Sequence, residues 1–577
     1  MLGRLLRAVL RPSPDAAVLN EEGIRAWHAG ELSVAEQKFR LALQARPRYA
    51  AACSNLGMVI VEQRRLAEGL DFLKGAVQLD AAHAGARVNL ANTLAYDGQI
   101  DAALTHYEAA LRLEPDHAAA RINFIKPCMD ACRWDEVEAE TRRLTELYRG
   151  GLADWSAQVL PFVSLLLPLP APLQLAVARS HAAMLTSRYA ASRAGILALR
   201  PPDRVGAKIR IAYLSGDFRN NAVGHQTAGM FGKHDRERFE VTAYSWGVDD
   251  GSEWRRRIES GCDRFVDIRG ESFEKSAARI ARDGMHILVS LSGYGGGSRN
   301  EILAMRPAPL QIQWLGYPGT MAADFIDYVV ADEVVLPASI EAGFTEAIAR
   351  LRHCYQVNDD RQPIAASALS RAEFGLPQSG FVFCSFNQSY KVDRAVFSCW
   401  MRLLAAQPGS VLWMLVTSPG AQANLRAAAK RAGVAPERIL FAAPLPKAEH
   451  LARHRLADLF LDTWCINGGT TASDALWSGL PLLTLAGEGF GGRVAASLLT
   501  CMGLGELIAR APADYEHIAL EIARNPEMLR TLRGRLSRAR DASPLFDSGG
   551  FVRNFEAALA AMMQRHRDGQ PPANLNV

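Results

Sequence analysis

The sequence predicts a multidomain protein, in which an all-α solenoid of helical hairpins precedes two α/β units whose parallel sheets face a cleft. Three observations predict this fold class. At 577 residues the chain exceeds what one hydrophobic core usually serves. Its N-terminal part repeats with a period of 34 residues. After residue 205 short apolar runs alternate with helical stretches, as in parallel βα units.

The composition is that of an ordinary globular protein, with 49% hydrophobic residues, 22% charged residues and a net charge of +4. It calls for neither a nucleic-acid nor a membrane partner, and no apolar run approaches the roughly 18 residues that span a bilayer. The nine cysteines are scattered, with no Cys-x-x-Cys pair. Free thiols in a reducing compartment are therefore expected, and we predict a cytoplasmic protein.

Residues 1–15 are predicted to form a short amphipathic helix. Arg4, Arg7 and Arg11 interrupt its apolar residues, so it lacks the unbroken apolar stretch of a secretory signal.

Residues 16–151 read as tetratricopeptide repeats. Overlaying Ala16–Tyr49, Ala50–His83 and Ala84–His117 aligns five positions of matching residue type. Three of them hold small residues, one holds a bulky residue, and the last mostly holds proline. In chain order they are Gly23/Gly57/Ala91 (small), Ala35/Gly69/Ala103 (small), Phe39/Leu73/Tyr107 (bulky), Ala42/Ala76/Ala110 (small) and Pro47/Ala81/Pro115 (mostly proline). The small residues let two helices approach, the bulky one fills the gap, and proline ends the second helix. A degenerate fourth unit spans Ala118–Gly151. These positions predict scaffold packing, and the groove predicts binding of an extended protein or peptide.

Residues 152–205 predict a helical linker that ends at Pro201-Pro202-Asp203. Two Rossmann-like domains follow, at 206–375 and 376–577. The strands are predicted at Ile209–Leu214, Phe239–Tyr244, His286–Leu291, Leu310–Leu315 and Tyr328–Ala331, and then at Phe381–Phe386, Val411–Val416, Ile439–Ala442, Leu459–Asp462 and Leu482–Leu485. Ligands of such sheets bind at the carboxyl ends of the strands, so the loops there determine the chemistry.

Three loops of the second half suggest a nucleotide-diphosphate site. Cys384–Lys391 leaves a strand end and directs Gln388 and Lys391 to the cleft, where a lysine can stabilise a departing diphosphate; a solvated loop lysine is the alternative. Leu445–Arg453 spaces three basic side chains on one helical face, and a solvated face is again the alternative. These side chains are Lys447, His450 and Arg453.

The strongest motif is Asp462–Asp474. A Gly-Gly turn ending at Gly469 is followed by Thr470 and Thr471, which open a helix, and by Asp474 one turn in. Such a helix start binds phosphate, and a carboxylate accepts ribose hydroxyls. The alternative is that Thr470 or Thr471 serves only as a helix N-cap, a role compatible with binding. Gly487–Gly492 matches G-x-G-x-x-G, but its late position in the sheet argues against NAD binding.

Two loops of the first half are positioned for acceptor and sugar. Ser215–His225 contains Asn221 and His225, and Ser292–Arg299 contains Tyr294 and Gly295. A purely structural role is the alternative for His225. The chain contains no Asp-x-Asp motif, which argues against a metal-bridged nucleotide sugar, and we expect neither a metal nor another cofactor.

Four motifs together resemble the O-linked N-acetylglucosamine transferase family, glycosyltransferase family 41, including its bacterial and SPINDLY-like members. They are Arg306–Thr320, Phe386–Lys391, Asn467–Thr471 and Arg493–Ser497. The resemblance covers nearly the whole chain. It implies a metal-independent, inverting GT-B enzyme that transfers N-acetylglucosamine from UDP-N-acetylglucosamine to protein serine or threonine, with the repeats presenting the acceptor.

Matching positions imply that Lys391 holds the diphosphate and that the UDP pocket is lined by Gln388, Lys447, His450, Arg453, Thr470, Thr471 and Asp474. Two positions depart from the animal pattern, because Asn221 and Gly469 each stand where those enzymes carry a histidine. Asparagine cannot act as a general base at neutral pH. Two alternatives therefore stay open: an adaptor that binds nucleotide sugar with little turnover, and a transferase that uses another donor such as GDP-fucose.

Overall fold

The computed structural model describes residues 15–63, 65–150, 159–203, 208–366 and 369–577. Residues 1–14 of the predicted N-terminal helix lie outside these ranges, as do parts of the predicted linker at 152–158 and 204–205. The chain divides into two compact units, residues 1–128 and residues 129–577. Within the described ranges no helix is both long enough and apolar enough to cross a membrane.

The first unit is a run of helical hairpins. Its helices are α1 (Ala16–His28), α2 (Leu32–Ala45), α3 (Ala50–Glu62), α4 (Leu66–Leu79), α5 (Ala84–Tyr96), α6 (Ile100–Leu113) and α7 (Ala118–Asp130), the last of which continues past the unit boundary. Each predicted 34-residue repeat therefore forms two helices, and the predicted solenoid is confirmed.

Close helix approach explains the small residues of the repeat. A Cβ on Gly23 would lie 2.6 Å from the Phe39 ring, and one on Gly57 would lie 2.7 Å from Leu73 Cγ. Phe39 and Leu73 are fully buried at 0% exposure. The pairing of a small residue with a bulky one, predicted from the overlay, therefore sets the spacing within these two hairpins.

The second unit begins with three helices, α8 (Trp134–Arg149), α9 (Pro161–Leu166) and α10 (Ala171–Leu197). A parallel eight-stranded sheet follows, in the order β14-β7-β6-β5-β4-β1-β2-β3. Its strands are β1 (Ile209–Ser215), β2 (Phe239–Ser245), β3 (Arg264–Asp267), β4 (Ile287–Ser290), β5 (Leu310–Gln313), β6 (Tyr328–Ala331), β7 (Ala347–Arg350) and β14 (Leu575–Asn576). The helices between them are α11 (Ala222–Thr227), α12 (Glu253–Gly261), α13 (Phe273–Arg282) and α14 (Asn300–Ala304).

A second parallel sheet has the order β10-β9-β8-β11-β12-β13. It contains β8 (Val382–Ser385), β9 (Val411–Met414), β10 (Ile439–Phe441), β11 (Leu459–Leu461), β12 (Leu482–Leu485) and β13 (Ile508–Ala509). Its helices are α15 (Arg394–Ala406), α16 (Pro419–Arg431), α17 (Lys447–Arg453), α18 (Thr470–Trp477), α19 (Val494–Cys501), α20 (Pro512–Arg524) and α21 (Pro526–Ala542), and α22 (Ser548–Arg567) precedes β14. In both sheets the first six strands follow the doubly wound order 3-2-1-4-5-6.

All ten predicted strands are confirmed, with ends that differ by no more than two residues. Four strands escaped prediction, namely β3, β7, β13 and β14. Three of them are sheet edges, and β3 is only partly covered, so its sequence carries charged residues at both ends. Strands β13 and β14 have two residues each, too few to show a period.

The C-terminal segment returns to the first sheet. Helix α22 packs beside β5, and β14 pairs with β7. His234 Nδ1 lies 2.9 Å from Glu556 Oε1, and the Trp314 ring lies 4.6 Å from the Phe555 ring. The sequence assigned 376–577 to the second domain, whereas the last helix and strand of that range pack on the first sheet.

Candidate active site

The candidate site lies where the strand order of the second sheet reverses, between β8 and β11. These two strands are hydrogen-bonded neighbours, so the loops at their carboxyl ends emerge side by side. The β8 loop carries Asn387 to Lys391, and the β11 loop carries Asp462 to Thr471. The chain thus brings together two motifs that lie more than 70 residues apart.

Lys391 ends a 3₁₀ turn, Ser389–Lys391, and its Nζ donates to the Asn467 carbonyl at 2.8 Å. Burial lowers the pKa of this lysine to about 8, and the nearby Asp462 carboxylate opposes the shift. The amine is still largely protonated at neutral pH but poorly solvated. An anion bound beside this ammonium would compensate for the water contacts that burial has removed.

A buried carboxylate organises the β11 loop. Asp462 accepts hydrogen bonds from the Gly468 amide, Asn387 Nδ2 and Thr484 Oγ1, each at 2.8 Å. Burial raises its pKa to about 6, against the effect of these donors. The sequence argument missed Asn387 as a site residue, although it lies inside the quoted β8 motif.

Thr471 Oγ1 donates to Asn387 Oδ1, so the same amide ties the start of α18 to the β8 loop. Gly469 is the N-cap residue of α18 and offers no side chain, and neither threonine caps the helix. The capping alternative raised from the sequence is therefore wrong. Thr470 is the first helical residue, and the exposed Gln388 precedes the 3₁₀ turn of Lys391.

The three basic side chains of α17 lie in different environments. Lys447 Nζ lies 2.6 Å from Asp474 Oδ1, and both side chains are buried. Arg453 is fully buried against the Phe386 ring, 4.8 Å from its centroid, and donates to His450 Nδ1 at 2.6 Å. Burial, reinforced by neighbouring cations, lowers the pKa of His450. Neutral His450 therefore carries its proton on Nε2, which lies 4.0 Å from Asp474 Oδ2.

The first half contributes helix α11, which packs against α18. Asn221 is its N-cap: Oδ1 accepts from the Gly224 amide at 3.0 Å, and Nδ2 donates to Asp217. His225 Nε2 lies 2.8 Å from Asn220 Oδ1, and its ring packs at a tilt of 48° against Trp254, with ring centroids 4.4 Å apart. Burial and the Lys447 charge lower its pKa to about 3. His225 is thus neutral in any physiological medium.

Tyr294 has a packing role. Its hydroxyl donates to the Met321 carbonyl at 2.8 Å, and its ring packs edge-on against Tyr317 and His181. The Gly295 amide donates to the Ser292 carbonyl and closes a turn. The Tyr294 hydroxyl is therefore already used within the first half.

The glycine-rich stretch Gly487–Gly492 supports the β11 loop. A Cβ on Gly491 would lie 2.3 Å from Ile466 Cδ1, and the Gly491 carbonyl accepts from the Asn467 amide at 2.9 Å. The glycines therefore allow close contact with the residue that binds Lys391. Among the described residues, no three His, Cys, Asp or Glu side chains are grouped as a metal site.

Two doubly wound sheets with a basic site at a switch point are the architecture of GT-B glycosyltransferases. Comparison with known proteins identifies the family. The model for glycosyl transferase family 41 matches residues 131–367 and 360–555, and a tetratricopeptide repeat model matches 94–157. The chain belongs to glycosyl transferase family 41.

Several relatives of this chain are named as peptide N-acetylglucosaminyltransferases. The probable UDP-N-acetylglucosamine–peptide N-acetylglucosaminyltransferase SEC of Arabidopsis thaliana is 38% identical over 73% of this chain and 44% of its own length. The Caenorhabditis elegans UDP-N-acetylglucosamine–peptide N-acetylglucosaminyltransferase is 29% identical over 76% and 48%. The chain thus spans about half the length of these curated relatives. A solved structure of a Thermobaculum terrenum O-GlcNAc transferase variant aligns over 96% of this chain and 98% of its own, with 26% identity and a TM-score of 0.67.

Proposed function

We propose that the protein transfers N-acetylglucosamine from UDP-N-acetylglucosamine to serine or threonine hydroxyls of proteins, with inversion and without a metal. The observation that carries the proposal is the half-buried ammonium of Lys391 at the switch point, beside the N-terminal end of α18. The names of the plant and nematode relatives and of the bacterial structure support the donor and the acceptor class.

The chemistry needs a cation. The acceptor oxygen bonds to the anomeric carbon as the bond from that carbon to the β-phosphate oxygen breaks, so negative charge grows on UDP. The Lys391 ammonium, together with the amides that open α18, is suited to stabilise that charge as it forms. The Asp474 oxygen not bonded to Lys447 is available for a ribose hydroxyl.

The repeats supply features suited to a peptide acceptor. Asn55 Nδ2 donates to Asn20 Oδ1 at 3.1 Å, and Asn89 Nδ2 donates to Ser54 Oγ at 3.0 Å. Amide side chains thus link the first helices of successive hairpins. Asparagine both donates and accepts, which matches the backbone of an extended peptide. We propose that the groove of the solenoid holds the acceptor.

A panel of UDP- and GDP-sugars, each assayed for release of its nucleoside diphosphate with and without protein acceptors, tests the proposal. We expect acceptor-dependent release from UDP-N-acetylglucosamine and a matching mass increase on the acceptor. Lys391→Ala should bind acceptor normally but release no UDP. Acceptor-dependent release from GDP-fucose alone would overturn the proposed donor.

One observation favours a second candidate, a repeat adaptor that binds nucleotide sugar with little turnover. The Asn221 side chain is committed at both ends to capping α11, and the nearby His225 is a weak base because its pKa is about 3. UDP binding without release from any donor would support the adaptor.

A further inference from the structure

The loop that carries Lys391 is held from both sides by the end of α7 and the start of α8. Ser389 Oγ donates to the Asp130 carbonyl at 2.8 Å. Trp134 Nε1 donates to the Val392 carbonyl at 2.8 Å, and that bond is buried. These hydrogen bonds attach the residues two before and one after Lys391. Residues 130–138, hereafter the hairpin clamp, all belong to the second unit.

The indole of Trp134 is fixed by its surroundings. It is only 8% exposed, and its ring lies 5.3 Å from that of Phe397. The Arg394 guanidinium lies 5.9 Å from the centroid of the indole and donates to Glu138 at 2.6 Å. The Nε1–H therefore points at the Val392 carbonyl from a ring with little freedom to turn.

The turn of the hairpin clamp is itself constrained. Cys132 adopts φ 55°, a left-handed conformation that costs energy for any residue other than glycine. It is 4% exposed and packs into the core of the catalytic halves. Packing that maintains an unfavourable backbone also fixes the Asp130 carbonyl, the acceptor for Ser389.

We propose that the hairpin clamp positions Lys391, with Trp134 and Ser389 as the positioning residues. The inference rests on the role proposed above for Lys391. A charge that stabilises a leaving group acts only within a few tenths of an ångström of its place, and a loop between two strands does not provide that precision alone. The hairpin of α7 and α8 thus serves the transfer site.

The first test needs no ligand. Acetylation of Lys391 by acetic anhydride, followed by mass spectrometry across pH, reports the protonation and exposure of its amine. In the unsubstituted 577-residue chain we expect a midpoint near the pKa of about 8. Trp134→Phe keeps an aromatic ring but loses the Nε1–H, and Ser389→Ala removes the other bond. In each variant the midpoint should rise toward that of a solvated lysine; unchanged midpoints in both would overturn the inference.

The second test is a binding cycle with UDP, measured by calorimetry. Trp134→Phe should weaken UDP binding about tenfold, as loss of one buried hydrogen bond allows. In the Lys391→Ala background the same change should have no further effect, which a purely structural role would not produce. Asn424→Ala is the matched control, because Asn424 Nδ2 donates to the Ala131 carbonyl of the same turn at 2.8 Å, away from the Lys391 loop.

The outcomes separate the two proposals. Wild-type protein that fails to bind UDP overturns the proposed function, and the acetylation profiles still decide the role of the hairpin clamp. Wild-type binding with equal losses from Trp134→Phe in both backgrounds overturns the clamp alone. Circular dichroism melting of each variant identifies any general loss of folding.

Discussion

Lys447 and Asp474 form a buried ion pair that joins α17 to α18, with Nζ 2.6 Å from Oδ1 and side-chain exposures of 8% and 5%. Each charge is stable in this position only because the other is present. The carboxylate that the sequence suggested for the ribose therefore has one oxygen committed to a lysine. The pair therefore fixes the separation of α17 and α18.

Asp474→Ala should destabilise the protein by about 3 kcal/mol, because it leaves Lys447 buried without a partner. Urea denaturation measures the loss. The double variant Lys447→Met/Asp474→Leu should recover most of the stability but not UDP affinity. Equal stability of Asp474→Ala and wild type would show that the pair is not desolvated as the structure indicates.

UDP affinity should decline as the pH rises through about 8. The pKa of Lys391 is lowered to about 8, so its ammonium is present below that pH and lost above it. Titrations from about pH 7 to about pH 10 would show the decline. In the Lys391→Arg variant, whose side chain stays charged, the decline in UDP affinity should disappear. A wild-type affinity that is constant across this range would contradict the assigned charge.

Asn221→Ala should cost about 1 kcal/mol through loss of the α11 cap. Asn221→His should cost less, because histidine already caps helices in this protein: His83 Nδ1 accepts from the Ala86 amide at 3.1 Å. The remaining nitrogen would then be available as a base. Thermal melting and UDP release test both parts, and a histidine variant as unstable as the alanine variant would refute the comparison.

Gly469→His should be poorly tolerated unless Gln356 is changed as well. A Cβ at position 469 would lie 3.2 Å from Gln356 Oε1, and Gln356 Nε2 is held by Ser473 Oγ at 2.7 Å. We expect the single variant to lose about 1 to 3 kcal/mol and the double variant Gly469→His/Gln356→Ala to regain part of it. Strictly additive effects in urea denaturation would show that the two sites do not interact.

Much of the site could be predicted because polar loops stood directly after apolar strand runs. That pattern places Lys391 in the loop after β8, and Thr471 and Asp474 in the helix that follows the β11 loop. The bonds from Asn387 to Asp462 and Thr471 could not be predicted, because they depend on β8 and β11 being neighbours, and strand order leaves no local trace in sequence.

The sequence also does not predict how deeply each basic side chain of α17 is buried. Lys447, His450 and Arg453 share one predicted helical face, yet Arg453 is fully buried while Lys447 is held by Asp474. Likewise the hydroxyl of Tyr294 is taken up by a backbone carbonyl. Helical spacing predicts direction, but it does not reveal what a neighbouring segment already occupies.

The return of α22 and β14 to the first sheet means that the backbone crosses between the catalytic halves twice. The chain makes the first crossing between β7 and β8 and the second between α21 and α22. Two covalent connections between the halves restrict their relative movement more than one connection would. The placement of Asn221 against α18 therefore depends on two connections of the backbone rather than on one.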